Sequence, residues 1–329
     1  MKGKYRSFII IGLFVGMSLS ISPALSSSII ENEQALKQDH QGWYYLPSFP
    51  NYAPQGLPDF DQRQGNWKCK AGIWRLVGGI YSFCGPTSLS DVLWWFDSKH
   101  ENPCGYPGDG NDTYPLVRDY HAQGAPNPGP HSDDHNFNNV DDISTPWNRG
   151  RGGKEFVEEV AWYCNTNFCK SPLWFLAGTS AENLEKGANA WIQDAGLQDH
   201  YHVEAIWKPD FATITKAIQH NDGVIVNLYF YNQKMYTPIH LFSHFVAVAG
   251  VNPDDGYIAL SDPVQNKMNP VPGPEDHNDA GVVSRDIYKV YLTSPKPEIA
   301  SWWVPDFCSF AGIHFDGLVK FALIISETD

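Results

Sequence analysis

Three residues with the chemistry of nucleophilic catalysis occur along the chain in the order Cys84, His244, Asp262. Cys84 lies in the run FCGPTS, where Pro86 suits the first turn of a helix because its missing N–H would have no partner there. Amide groups at a helix start lack intrahelical partners and create a positive potential that favours a thiolate. Apolar residues at helical spacing follow, so we predict a helix over about Gly85–Ser98 with Cys84 at its start.

The candidate base and acid lie on two predicted strands joined by a tight turn. His244 opens the run HFVAVAG and Asp262 follows the strand YIALS, with the turn sequence DDG between the two runs. Strand ends in such a hairpin lie side by side. We therefore expect His244 to accept the proton of Cys84 while Asp262 orients the imidazole.

Each of the three residues also has an ordinary structural explanation. Cys84 could be a buried thiol or half of a disulfide, since most cysteines of secreted proteins are paired. His244 could be a hydrogen-bonded core histidine, and Asp262 could form the turn before a proline. The combination of all three, on helix, strand and strand, favours a catalytic site.

Four short motifs resemble those of the secreted relatives of the double-glycine (bacteriocin leader) peptidases, within the papain-like superfamily. The motifs are DFDQ at 59–62, CGPTS at 84–88, LWWFDSK at 93–99 and SHFV at 243–246. The resemblance covers most of Leu57–Pro263. It implies a papain-like cysteine peptidase fold, a Cys–His–Asp triad and a peptide or protein substrate.

The same resemblance implies a glutamine upstream of the nucleophile that donates to the oxyanion of the tetrahedral intermediate. Gln62 matches that role at the end of a predicted short strand over 57–62, and Gln64 is the alternative. In many relatives the glutamine lies closer to the cysteine, where this chain has Gly78 and Gly79. A side-chain donor acting together with the amide of the nucleophile would stabilise the intermediate by about 3 kcal/mol per donor.

The first 26 residues have the pattern of a secretory signal peptide. Three basic residues precede an apolar run over 8–21, and small residues at 24–26 suit cleavage. The run is short for a transmembrane helix, although an uncleaved N-terminal anchor is the alternative. We expect a secreted or extracytoplasmic protein, in the periplasm or at the cell surface. An extended lead-in over 27–56 would precede a single catalytic domain over 57–329.

The charge of the chain argues against two classes of partner. The formal net charge is −14, and the first 26 residues contribute three of the basic residues and none of the acidic ones, so the remainder carries −17. Such a charge opposes binding to nucleic acid and to anionic membranes. We expect no nucleic-acid partner and no membrane attachment after signal cleavage, and the oligomeric state is left open.

The chain contains six cysteines that could form disulfides and several clusters of residues that could bind a metal ion. Cys164 and Cys169 are close enough in sequence to pair, and Cys69 and Cys104 bracket the predicted nucleophile helix and could also pair, although spacing alone does not fix connectivity. His240 precedes His244 by four residues, but the segment has the pattern of a strand rather than a zinc-binding helix. Acidic loops at 109–112 and 131–142 lack EF-hand spacing, so a solvated loop is the simpler interpretation. We predict no metal and no cofactor.

The order of predicted elements favours an α+β fold in which the nucleophile helix packs on an antiparallel sheet. Helical periodicity recurs in three segments after the nucleophile helix, at 154–164, from a capping box at Thr179 and Glu182 to about 195, and after Asp210. Strands are predicted at 223–231, 244–251, 257–261, 286–292 and 318–325. Helices followed by an antiparallel sheet are typical of α+β domains.

Three functions share these residues. The first is a secreted cysteine hydrolase, a peptidase that cleaves through a Cys84 thioester. The second keeps the triad but changes the reaction to transglutaminase-type transfer or to cell-wall amide hydrolysis of the NlpC type, which a triad alone does not exclude. The third is a non-enzymatic papain-like domain that binds a peptide or glycan.

Overall fold

A computed structural model describes residues 42–49, 56–63, 67–69, 76, 78–100, 113–117, 156–168, 177–232, 243–264, 287–310 and 313–328. The α-helices in these ranges are α1 (Cys84–Lys99), α2 (Phe156–Tyr163), α3 (Ala181–Asp194) and α4 (Phe211–Gln219). The strands are β1 (Tyr44–Tyr45), β2 (Lys68–Cys69), β3 (Ile80–Tyr81), β4 (Tyr201–Trp207), β5 (Gly223–Tyr231), β6 (Ser243–Asn252), β7 (Tyr257–Ser261), β8 (Ile287–Lys289), β9 (Trp303–Phe310) and β10 (Ile313–Glu327).

The fold is a mixture of helices and one large antiparallel sheet. Its main path runs β4-β10-β5-β6-β7-β8, with β1 paired to β6 and β9 paired to β10. All of these strand pairs are antiparallel. The coarse α+β prediction is therefore confirmed. The longest strand, β10, exceeds its predicted bounds because it pairs with β4, β5 and β9 in turn.

Helix α1 packs directly on the sheet beside the β6–β7 hairpin. Its side chains are buried from Cys84 to Ser98, which is unusual for a helix at a protein surface. The first residue of β5 allows the close approach, because a Cβ added at Gly223 would lie 2.2 Å from Cγ1 of Val92. A helix held this tightly can fix the position of a side chain at its first turn.

Several predicted boundaries are wrong for identifiable reasons. Ser180, not Thr179, caps α3, because its hydroxyl accepts the amide proton of Asn183 at 3.1 Å. The segment 57–62 is extended but is not one of the sheet's strands, since the Phe60 amide donates to the Asp91 carboxylate instead of to a strand. Strand β8 is three residues long and not seven, and Tyr291 beyond it forms only an isolated bridge to Trp303.

One further predicted cap is confirmed, and other predicted segments lie partly or wholly outside the described residues. Asp210 caps α4 as expected, accepting from the Thr213 amide at 2.6 Å. Residues 42–49 of the predicted lead-in include β1, and Leu46 donates its amide to the Ala249 carbonyl at 3.0 Å. The predicted signal peptide lies outside the described residues, as do most of 101–153. Among the helices that are described, none has both the length and the apolar character needed to cross a bilayer.

Candidate active site

The start of α1 presents Cys84 at an uncompensated positive helix end. The preceding residue, Phe83, offers no capping side chain, and no acidic residue occupies the first turn. By contrast, α3 and α4 begin with the caps Ser180 and Asp210. The Cys84 thiol is free and 9% exposed. An anionic sulfur here would interact favourably with the unpartnered amides of the first turn.

The β6–β7 hairpin brings His244 and Asp262 together. His244 Nε2 lies 2.6 Å from Asp262 Oδ1, in a buried pair whose carboxylate side chain is 0% exposed. The backbone of Val264 donates to the same Oδ1 at 2.9 Å, which fixes the carboxylate after the strand ends. Because Nε2 faces Asp262, Nδ1 is the ring nitrogen left for the sulfur of Cys84.

The surroundings of His244 favour the imidazolium. Burial alone would lower its pKa, but the charge and hydrogen bond of Asp262, followed by interaction with the Cys84 side chain, raise the pKa to about 10. Cys84 is thus close enough to act on the ring. The geometry brings a thiol, an imidazole and a carboxylate into one group, in the order in which a nucleophile, a base and an orienting acid would act.

Gln62 is held against the residue before the thiol. Its side-chain Oε1 accepts the amide proton of Phe83 at 2.8 Å, and its own amide donates to the carbonyl of Pro263 at 2.9 Å. These two bonds tie Gln62 to both the start of α1 and the residue after Asp262. Since Oε1 is taken by a donor, the amide nitrogen is the part of the side chain that remains to donate. The alternative, Gln64, lies outside the described residues.

A buried polar network supports this arrangement and was not predicted from the sequence. Asp91, inside α1, accepts from the amide of Phe60 at 3.0 Å, and the hydroxyl of Ser261 donates to Asp59 at 2.7 Å and lies 3.3 Å from Asp91. The network joins the Gln62 segment, α1 and the end of β7. Its signal in the sequence is Asp91, a carboxylate directly before the apolar run VLWWF of the predicted helix.

Gly85 allows close packing at the first turn of α1. A Cβ at Gly85 would lie 3.0 Å from the Cβ of Thr179 and 3.4 Å from the ring of Phe245. The glycine therefore allows the segment before α3 to approach the first turn of α1. The space beside its Cα is occupied by protein.

Aromatic rings form an apolar wall beside the histidine. The ring centroids of Phe230 and Phe307 lie 6.5 and 6.4 Å from that of His244. Cys308 follows on the same strand, and burial raises the pKa of its thiol to about 12. Unlike Cys84, it lies in the interior of a strand and not at a helix start.

Several predicted features lie outside the described residues. Both proposed disulfides involve residues outside the described ranges, Cys104 and Cys169, and so does the pair of histidines that includes His240. The acidic loops at 109–112 and 131–142 also lie outside them. These features stay predictions.

Comparison with known proteins adds little. No protein-family model matches the sequence, and no curated protein matches it. Among solved structures, the chain is similar to a Bacillus anthracis protein provisionally named a C39-like peptidase, with 11% identity and a TM-score of 0.30. The match covers 72% of this chain and 95% of the other. At this distance the match supports no conclusion about function.

Proposed function

We propose that this protein is a secreted cysteine hydrolase of papain-like architecture, a peptidase that acts through Cys84. The observation that carries the proposal is the buried His244–Asp262 pair, at 2.6 Å, next to a free thiol at an uncapped helix start. A free thiol, an imidazole with a raised pKa and a buried carboxylate together fit the requirements of nucleophilic catalysis better than those of packing.

In the acylation step, the Cys84 thiolate attacks the carbonyl carbon of a peptide bond. A C–S bond forms and the carbonyl π electrons move to the oxygen, which becomes an oxyanion. Two donors are available for that oxygen, the Cys84 amide and the side-chain amide of Gln62. When the intermediate collapses, the C–N bond breaks and the leaving amine takes a proton from the His244 imidazolium.

In the deacylation step, neutral His244 removes a proton from a water molecule. The resulting hydroxide attacks the thioester carbon, the C–S bond breaks, and Cys84 leaves as a thiolate beside the newly formed imidazolium. Asp262 stays ionised throughout and holds the ring with one nitrogen directed to the sulfur. The enzyme returns to its starting ion pair, and the products are a carboxylic acid and an amine.

The proposal is tested by substituting Cys84 with alanine. Cys84→Ala should abolish cleavage of a general protein substrate or a mixed peptide library, while the melting temperature changes little because alanine keeps helix propensity. Cys308→Ala is the matched control, since it removes a free thiol that lies in the interior of a strand and not at a helix start. Full activity in Cys84→Ala would move the chemistry to another site.

The two alternative enzyme reactions differ from hydrolysis in their acyl acceptor or substrate. Transfer to an added primary amine in place of water would identify a transglutaminase-type reaction. Cleavage of cell-wall stem peptides, with no cleavage of ordinary peptides, would identify an NlpC-type amidase. Either result would keep the triad and change the substrate.

A further inference from the structure

The far end of α1 carries a second cluster of side chains that the proposed reaction does not use. His100 caps the C-terminus of α1, His200 precedes β4, and Glu327 ends β10. Antiparallel pairing places Glu327 opposite Tyr201, and the Thr328 amide donates to the His200 carbonyl at 2.7 Å. Among the described residues, the ligand atoms of this trio all lie within 4.8 Å of one another.

One nitrogen of the cluster forms no hydrogen bond among the described residues. Nε2 of His200 is buried and has no hydrogen-bond partner in the described part of the chain. Its nearest carboxylate oxygen, Oε1 of Glu327, lies 3.9 Å away, too far for a hydrogen bond. A buried nitrogen without a partner is costly unless another group binds it.

The ring that carries this nitrogen is held in place. Tyr114 stacks on His200 with centroids 3.5 Å apart and planes 14° apart, and meets His100 edge to face at 5.3 Å. Orientation by neighbours is a common feature of histidines that act as metal ligands.

The two oxygens of the Glu327 carboxylate contact different side chains. Oε1 of Glu327 contacts His100, and Oε2 accepts from the ammonium of Lys99 at 2.5 Å. Because Lys99 holds Oε2, Oε1 is the oxygen that faces the two histidines, and Lys99 fixes the orientation of the carboxylate.

We propose that His100, His200 and Glu327 bind one divalent transition-metal ion, zinc in the first instance, at the C-terminal end of α1. Two imidazoles and one carboxylate form a donor set that suits zinc, with a fourth position left for water. Ligand atoms around tetrahedral zinc lie about 3.3 Å apart, so His100 must withdraw from Oε1 and His200 must approach it, each by about an ångström or less. The ion would link α1 to the edge formed by β4 and β10.

Zinc binding to the full chain is the test, measured by calorimetry in a Cys84→Ala background so that the thiol site cannot contribute. The parent should bind one equivalent more than His200→Ala, and Glu327→Gln should show the same loss. His202→Ala is the matched control, because His202 is exposed on β4 and does not belong to the cluster. Circular dichroism checks that each variant is folded.

Cobalt gives an independent readout at the same site. Co²⁺ should produce the visible absorption of a four-coordinate site in the parent and in His202→Ala, and that absorption should be absent in His200→Ala. Equal zinc stoichiometry in all folded variants, or cobalt spectra that do not depend on His200, would overturn the proposal. Neither result would bear on Cys84, whose activity is measured separately.

Discussion

Two histidine–carboxylate pairs of this protein, one buried and one half-buried, shift the pKa of the histidine in opposite directions. His244 lies 2.6 Å from Asp262 and its pKa is raised to about 10, whereas His200 lies 3.9 Å from Glu327 and its pKa is lowered. Burial acts in the same direction on both rings. The pairs differ in the distance from the carboxylate to the ring and in the number of other side chains that contact the carboxylate.

The two carboxylates have different sets of neighbours. Asp262 directs its Oδ1 to His244 and has a backbone amide as a further donor. Glu327 is shared among two histidines and Lys99, so it compensates less for the burial of His200. The His244–Asp262 pair is therefore suited to hold a proton, and the His200–Glu327 pair is suited to bind a metal ion. The identity of the two residues does not by itself determine which of these a pair does.

The largest expected effect comes from removing the charge that holds His244. Asp262→Asn keeps the shape of the side chain but should lower kcat by about 10⁴, because the imidazole loses its orientation and the stabilisation of its positive form. Steady-state kinetics on a peptide substrate measures this effect.

A third histidine–carboxylate pair supplies the control for Asp262→Asn. His314 Nδ1 lies 2.6 Å from Asp306 Oδ1, and both side chains are largely exposed. Asp306→Asn should leave kcat unchanged, since the same contact in solvent contributes little. Equal losses in the two variants would mean that the substitutions act through the fold and not through the site.

The next effect concerns Gln62. If its amide donates to the oxyanion, Gln62→Ala should lower kcat by about a hundredfold or more with KM little changed, since that bond is strongest in the transition state. Gln62→Glu should lose as much rate, because an ionised carboxylate can no longer donate a proton to the oxyanion.

Gln64→Ala identifies the correct glutamine. A rate loss in Gln64→Ala and none in Gln62→Ala would transfer the role to Gln64. A lowered melting temperature with full activity in Gln62→Ala would instead leave Gln62 a packing role through Phe83 and Pro263.

The smallest effect is on stability, and it has opposite signs for the two pairs. A raised pKa in the folded state means that His244 contributes stability below about pH 6.5 and loses that contribution as the pH rises toward 10. A lowered pKa means that His200 contributes stability above pH 6.5 and loses it as the pH falls.

Denaturant unfolding from pH 5 to pH 10, in the presence of a chelator, compares the wild type with His244→Gln and His200→Gln. The first substitution should flatten the alkaline part of the stability curve and the second the acidic part. Lys99, His100, Asp222 and Glu327 also act electrostatically around His200 or its carboxylate partner, so only the difference between variants is assigned to the histidine. Parallel stability curves for all three proteins would contradict the opposite pKa shifts of His244 and His200.

The sequence predicts the parts of the site that local patterns determine. The apolar spacing after Cys84 predicts α1, and the apolar runs on either side of the turn DDG predict β6 and β7 nearly to the residue. These elements bring His244 to Asp262. Strand β4 was missed although apolar and polar residues alternate over most of its run YHVEAIW, which is the pattern of a half-buried strand.

Contacts between distant segments were beyond sequence reasoning. The tie between Gln62 and Phe83 depends on how an extended segment crosses the start of α1, and no periodicity encodes that crossing. The cluster of His100, His200 and Glu327 exists because β4 and β10 pair in one register. A shift of one residue in that register would direct the side chains to the opposite face.

The central claim, that Cys84 is an activated nucleophile, is tested most directly by labelling with a peptide that carries a thiol-reactive group. Intact mass and peptide mapping should show one adduct, on Cys84, which forms much more slowly in His244→Ala and is absent in Cys84→Ala. Cys308 is the internal reference, since burial keeps its thiol protonated. An adduct on Cys308 with none on Cys84, or labelling of Cys84 at the same rate without His244, would contradict the account.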